Sequence, residues 1–183
     1  MACVHSPCTR WRYASIHSAP LGAGSGSGSS SIGTAWRDGV LERPKSDLER
    51  VIECFQVKGE PQSLREISRQ VAQMKIERAI QRVLACGASN TMVYSLILPR
   101  RTFDHRRQKH QPLNDDEAER AVILVNTIAS AERVFGERDK AERWLNNPNP
   151  HFGGKSPIES LRSALGAREV EEELTRIDEG YFG

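Results

Sequence analysis

Three observations predict an all-α fold. Apolar residues recur at intervals of three and four from Leu48 to Ile177, capping signals stand where several of these periods begin, and no stretch alternates as a half-buried strand would. The predicted organisation is a disordered Gly/Ser-rich tail over 1–45, a helix-turn-helix-like helical domain over 46–111 and a second small helical domain over 112–183.

The chain has 183 residues, with 26 Lys+Arg against 24 Asp+Glu, a formal net charge of +2, and 38% hydrophobic residues. That length allows one compact domain, or two small ones with a tail, and excludes a large barrel or a multidomain enzyme. No segment approaches the ~20 apolar residues of a membrane helix. The N-terminus lacks the ~7 to 15 residue apolar core of a secretory signal, so a cytoplasmic protein is expected. Cys3, Cys8, Cys54 and Cys86 are spaced too unevenly for a disulfide framework. Cys54 and Cys86, on helical segments, are expected as buried apolar residues in a reducing compartment.

Within the tail, Leu21 to Gly33 reads LGAGSGSGSSSIG, a flexible composition with little apolar surface. Cys3, His5, Cys8 and His17 lack the ordered close pairs of a structural zinc site, and no metal is expected. From Ser46, residues Leu48, Val51, Ile52 and Phe55 define one helix face, ended by Gly59 and Pro61. Ser63 and Glu66 form a capping-box signal before the stripe Leu64, Ile67, Val71. Ile76, Ala79, Ile80, Val83 and Leu84 continue the period to Gly87, a C-terminal cap signal.

Asn90 to His110 reads NTMVYSLILPRRTFDHRRQKH, and Leu98-Pro99 divides a short apolar helix from a basic one. Arg100, Arg101, Arg106, Arg107 and Lys109 stand there against one acid, Asp104, with Phe103 as the apolar anchor. A basic helix after a tight turn suggests DNA. Some of Arg100, Arg101, Thr102, His105 and Arg106 would reach base edges, and Arg107 or Lys109 phosphate. The same helix could instead be a solvated face or pair with acids in the first turn of the next helix.

Asn114 and Glu117 signal a capping box at the start of the longest helix, where Asp115, Asp116 and Glu117 suit the positive end of the dipole. Its stripe, Ala118, Ala121, Val122, Val125, Ile128 and Ala129, runs to Phe135-Gly136 and predicts the core of the fold. A shorter helix covers Arg138 to Leu145, with Trp144 expected in the core. NNPNPHFGGKSP follows as a turn-rich segment. Its Gly153-Gly154 pair lacks a following phosphate-loop pattern and reads as a fixed loop. Ser156-Pro157 then begins a helix through Ile158, Leu161 and Leu165, closed by Gly166, and Val170, Leu174 and Ile177 mark a last acidic helix ending at Gly180.

The patterns PRRTFDHRR, AERVFG, KAERWLNNPNPHFGGKSPIESL, Gly166 and VEEELTRIDEGYF stand in one order. Together they resemble the Xre/MbcA/ParS antitoxin family over residues 98–182, more weakly over 46–97, and not over 1–45. The resemblance implies an antitoxin of a type II toxin–antitoxin system whose partner is a RES-domain toxin, NAD-consuming or ADP-ribosyltransferase-like. It implies occlusion of that toxin's active site, a homodimer within a toxin–antitoxin hetero-oligomer, and autorepression through operator DNA, with no cofactor.

The toxin-binding residues expected are Arg176, Asp178, Glu179, Tyr181 and Phe182. The two aromatics could stack where a nicotinamide or adenine ring sits, and the seven acids against three arginines between Ser156 and Gly183 suit a basic nucleotide cleft. Glu169, Glu171, Glu172 and Glu173 read as a solvated face. No HExxH, P-loop or nucleophile–base pattern is present, so no enzymatic activity is expected. The alternative function is a stand-alone helix-turn-helix transcription regulator.

Overall fold

The computed structural model describes residues 45–180. The expected tail, the metal-capable residues Cys3, His5, Cys8 and His17, and the aromatics Tyr181 and Phe182 lie outside the described residues.

Among the described residues the architecture is all-α. Helix α1 (Asp47–Phe55) starts at a capping box in which Ser46 and Glu49 satisfy each other's backbone N–H, a local signal the sequence reading passed over. It ends at Phe55, four residues before Gly59, because Gln56 takes the left-handed conformation (φ 51°) and caps it. Helix α2 (Leu64–Val71) has Ser63 as its N-cap, accepting from Glu66 N–H, while the Glu66 carboxylate turns one residue further back to accept from Gln62 N–H. A turn over Ala72 to Lys75 leads into α3 (Ile76–Ala85).

Helix α4 (Asn90–Met92) continues into a π-helical turn, Val93–Ile97, and Pro99 separates this from α5 (Arg100–Gln108). The expected Leu98-Pro99 division is thus present. Helix α6 (Asp115–Phe135) has the predicted Asn114–Glu117 capping box and a left-handed Gly136 at its end. Helix α7 (Arg138–Asn146), a 3-10 turn (Pro150–Phe152), α8 (Pro157–Ser160) and α9 (Ala164–Asp178) complete the order.

The helix expected to run from Pro157 to Gly166 is two pieces. Ser163 caps α9, its hydroxyl accepting from Gly166 N–H, so Gly166 lies in the first turn of α9 and does not close α8. The physical reason is a close approach: a Cβ on Gly166 would stand 2.1 Å from the Ser160 carbonyl oxygen. Only a residue without a side chain lets α9 start against the end of α8.

The core gathers around α6, which packs against α1, α2, the π-helical turn, α7 and α9. Ala118, Ala121, Leu124 and Ala131 are fully buried along it. Small residues let helices approach, while Phe55, Ile67, Ile76 and Leu145, each at most 1% exposed, fill the space between them. Each such large side chain contributes roughly 1.5–3 kcal/mol through removal from water. Because both halves of the chain use α6, residues 46–111 and 112–180 share one core. Trp144 is half-buried, at 5.5 Å from Phe135 and 6.2 Å from Phe152 between ring centroids, and so fixes the turn-rich segment to α6 and α7.

Cys54 and Cys86 correct another expectation. They are not separate buried thiols but a disulfide, joining the last turn of α1 to the C-cap of α3. No helix of the described residues is long and apolar enough to cross a membrane.

Candidate functional site

Two surfaces carry the residues singled out by the sequence. The first is the end of α9 and what holds it. Val170 and Leu174, at 0% and 3% exposure, seat α9 on the core, which points its remaining faces to solvent. Arg176 forms a fork with Glu173, Nε to Oε2 at 2.9 Å and Nη2 to Oε1 at 2.7 Å. The same Nη2 lies 2.9 Å from Nε2 of His151 in the 3-10 turn. The hydrogen bond to Glu173 holds the Arg176 proton more firmly than usual.

Asp178 is tied from the other side. Its Oδ2 lies 2.5 Å from Arg133 Nη1 on α6, and Arg133 Nε reaches both oxygens of Asp47 at 3.2 Å. Ser130 Oγ donates to Asp47 at 2.9 Å. An Asp47–Arg133–Asp178 bridge therefore links α1, α6 and α9. Burial works against the Arg133 charge, but the hydrogen bond to Asp178 and the charge of Asp47 outweigh it, and the guanidinium holds its proton more firmly than usual. Glu179 is exposed, and the backbone then turns at Gly180 with φ 78°. Of the five expected toxin-binding residues, Arg176, Asp178 and Glu179 stand together at this end, the first two engaged in ion pairs.

The loop before α8 is held by its own backbone. Asn149 N–H donates to Lys155 O at 3.0 Å, Gly154 N–H donates to Asn149 O at 3.2 Å, and Asn149 Oδ1 accepts from His151 N–H. Gly153 and Gly154 both take positive φ, which this closed loop requires. The result is a fixed platform for His151 beside Arg176. Leu165, at the start of α9, is 70% exposed, the one large apolar side chain so open among the described residues.

The second surface is basic. Arg100 lies over the Tyr94 ring at 5.4 Å and 3.9 Å from Asp104, while Arg101, His105 and Lys109 are exposed and Thr102 is half-buried. Arg106 is occupied within the fold: its Nη1 contacts both Glu117 oxygens at 2.7 and 2.6 Å, and its Nη2 donates to Pro112 O. It locks α5 to the N-terminus of α6, as the acidic first turn invited. Arg107, whose Nε is 3.9 Å from Glu77, turns toward α3.

There it borders an open groove of about 1080 Å³ whose other cations are Lys58, Lys75, Arg78 and Arg82, with Glu77 as its acid. Lys75, Arg78 and Gln81 are exposed along α3. The sequence reading missed this face because it looked for charge density, which is higher on α5. The signal available was the four-residue gap between two amphipathic helices, α2 and α3, which is the spacing of a helix-turn-helix.

Residues 130–180, from the last turn and a half of α6 through α9, match the profile of the Antitoxin Xre/MbcA/ParS C-terminal toxin-binding domain. Curated relatives agree. The chain is 44% identical over 85 residues to an Antitoxin Xre of Pseudomonas putida, covering 46% of this chain and 54% of that protein. It is 30% identical over 86 residues to an Antitoxin Xre of Yersinia enterocolitica, covering 46% and 58%. A Prs ADP-ribosylating antitoxin of a Sphingobium species is 27% identical over 100 residues, covering 50% and 63%. The chain thus spans a little over half the length of these curated relatives.

Proposed function

We propose that this protein, whose residues 130–180 match the Antitoxin Xre/MbcA/ParS C-terminal toxin-binding domain, is the antitoxin of a cytoplasmic type II toxin–antitoxin pair, acting by binding rather than catalysis. Its partner is a RES-domain toxin that consumes NAD or transfers ADP-ribose, and neutralisation is occlusion of that active site. The observation that carries the reading is the anchored end of α9. Arg133 grips Asp178, and Glu173 and His151 contact Arg176, so the last turn of α9, up to Glu179, is a fixed point. A segment that leaves a rigid support loses less freedom on entering a pocket, which favours binding. Acidic groups beside it complement the cationic side chains that a diphosphate-binding cleft needs.

Co-expression with the RES-domain toxin tests the reading. The full chain is expected to restore growth and to co-elute with the toxin, whereas deletion of residues 181–183 abolishes rescue with an unchanged circular dichroism spectrum and Tm. Full protection by the shortened protein would refute occlusion by this segment.

A second reading, operator binding by a homodimer, is favoured by the basic groove beside the α2–turn–α3 unit. In this reading α3 enters the major groove with Lys75, Arg78, Gln81 and Arg82, and α5 contributes Arg100, Arg101 and Arg107 to phosphates. Arg78→Glu should abolish binding of the operon's own promoter duplex while sparing growth rescue. Specific promoter binding that Arg78→Glu abolishes, with no growth rescue by the wild-type chain, would favour the stand-alone regulator, in which DNA binding is the whole function.

A further inference from the structure

Two helix ends that lie 32 residues apart in sequence are joined covalently. Cys54 occupies the last turn of α1 and Cys86 the C-cap of α3, with a Cα–Cα separation of 6.0 Å. That distance lets two cysteines bond without backbone movement. A noncovalent tie runs beside the bond, since Arg82 Nη2 donates to the side-chain oxygen of Gln56, the residue that caps α1. The end of α3 is therefore fastened to the end of α1 twice, once through a polar contact and once through sulfur.

We propose that Cys54 and Cys86 form a reversible thiol–disulfide site, exchanging with low-molecular-weight thiols and disulfides, that sets how firmly α3 is held to α1. The inference is independent of both functional readings above, since it rests on this geometry alone. The two residues differ in access, Cys54 being 6% exposed and Cys86 half-buried, which makes Cys86 the side from which the bond is approached. A thiolate from solution attacks Cys86 Sγ, the bond between the two protein sulfurs breaks, and Cys54 leaves as a thiolate that takes a proton.

A second small thiolate then attacks the small molecule's sulfur in the mixed disulfide, forming the small disulfide, and Cys86 leaves as a thiolate that takes a proton. The balance is one protein disulfide and two small thiols giving two protein thiols and one small disulfide. Oxidation is the reverse, with the small disulfide as the two-electron acceptor. The reduced state is also accommodated, because Cys54 Sγ lies 3.5 Å from the Arg82 carbonyl oxygen and the thiol has an acceptor there. In a reducing compartment a bond of this kind is intermittent, which is the property a redox-responsive site needs.

The test equilibrates the full chain in mixtures of reduced and oxidised glutathione, blocks free thiols and maps peptides by mass. A cross-linked Cys54–Cys86 peptide, lighter by two hydrogens than the separate thiols, should appear in oxidising mixtures and vanish in excess reduced glutathione. The Tm should move reversibly with it, by about 10 °C for a loop of this length. Cys86→Ser should show the lower Tm in every mixture, and a Cys3→Ser, Cys8→Ser double variant should keep the full shift, which guards against a misfolded single variant. Absence of the cross-link at every ratio would overturn the proposal. So would a bond that persists in excess reduced glutathione, or a shift that disappears with Cys3 and Cys8.

Discussion

Replacing Gly166 by alanine sets two effects of opposite sign against each other. Gly166 is the third residue of α9, and alanine in place of glycine within a helix gains up to about 1 kcal/mol of propensity. Against this, the added Cβ would lie 2.1 Å from Ser160 O and 2.8 Å from Ser160 C. Both are backbone atoms, so no rotamer change relieves the contact, and the end of α8 must move by roughly 1 Å to reach ordinary contact distance.

That movement strains a junction where Ile158, Leu161 and Val170 are all buried. Overpacking of this kind costs about 1–3 kcal/mol, and a backbone clash sits at or above the upper end. The net expectation for Gly166→Ala is a loss of about 2 kcal/mol, or a fall in Tm of roughly 6 °C. Urea and thermal unfolding followed by circular dichroism read both. Gly136→Ala is the control: its φ is +69° with nothing within 4 Å of the added Cβ, so it costs only the ~1–2 kcal/mol of the left-handed conformation. A Gly166→Ala protein at least as stable as the wild type would show that propensity dominates and that the close approach does not position α9.

Two further outcomes follow from pairs within the fold. Arg106→Ala should lower stability by about 2–3 kcal/mol in urea unfolding, because Glu117, with a side chain 9% exposed, loses its cation. The Asn114 N–H still donates to Glu117, which keeps the cost below that of a fully orphaned charge, and exposed Arg101→Ala should change stability by less than about 0.5 kcal/mol. Burial pushes the Glu132 carboxyl above its ordinary range, against the pull of Arg138 and Arg50. Its protonated form is thus favoured by folding, and this contribution is present at acid pH and lost as pH rises through the folded pKa. Glu132→Gln should raise Tm relative to wild type at pH 7, and the advantage should vanish below the ordinary glutamate value of 4.5; an equal gain at both pH values would contradict the assigned cause.

Much of this fold was legible in the sequence because helix signals are local. Asn114 and Glu117 find each other within one turn, and the apolar stripe from Ala118 to Ala129 needs only the helical period to be read. Residues 98–182 also carried the family's motifs in order, which pointed to the same C-terminal segment that the family profile matches. What the period cannot supply is pairing across distance. Arg106 and Arg101 look alike in PRRTFDHRR, yet one is spent on Glu117 eleven residues away and the other faces solvent.

The same limit explains the remaining differences. Gly166 resembled a helix end because glycine commonly is one, whereas its place inside α9 depends on the Ser160 carbonyl passing close by. Asp178 and Glu179 are neighbours in an acidic run, but only Asp178 meets Arg133, 45 residues earlier. Cys54 and Cys86 read as separate apolar side chains until the packing of α1 on α3 brought them together. The sequence by itself determined where most helices begin, which stripe is buried and which family the C-terminal half resembles, since each is set by neighbours within a few residues or by motif order. Only the tertiary structure decided which charges remain free, which basic helix fronts a groove and which cysteines meet, because these depend on side chains brought into contact by helices packing on α6.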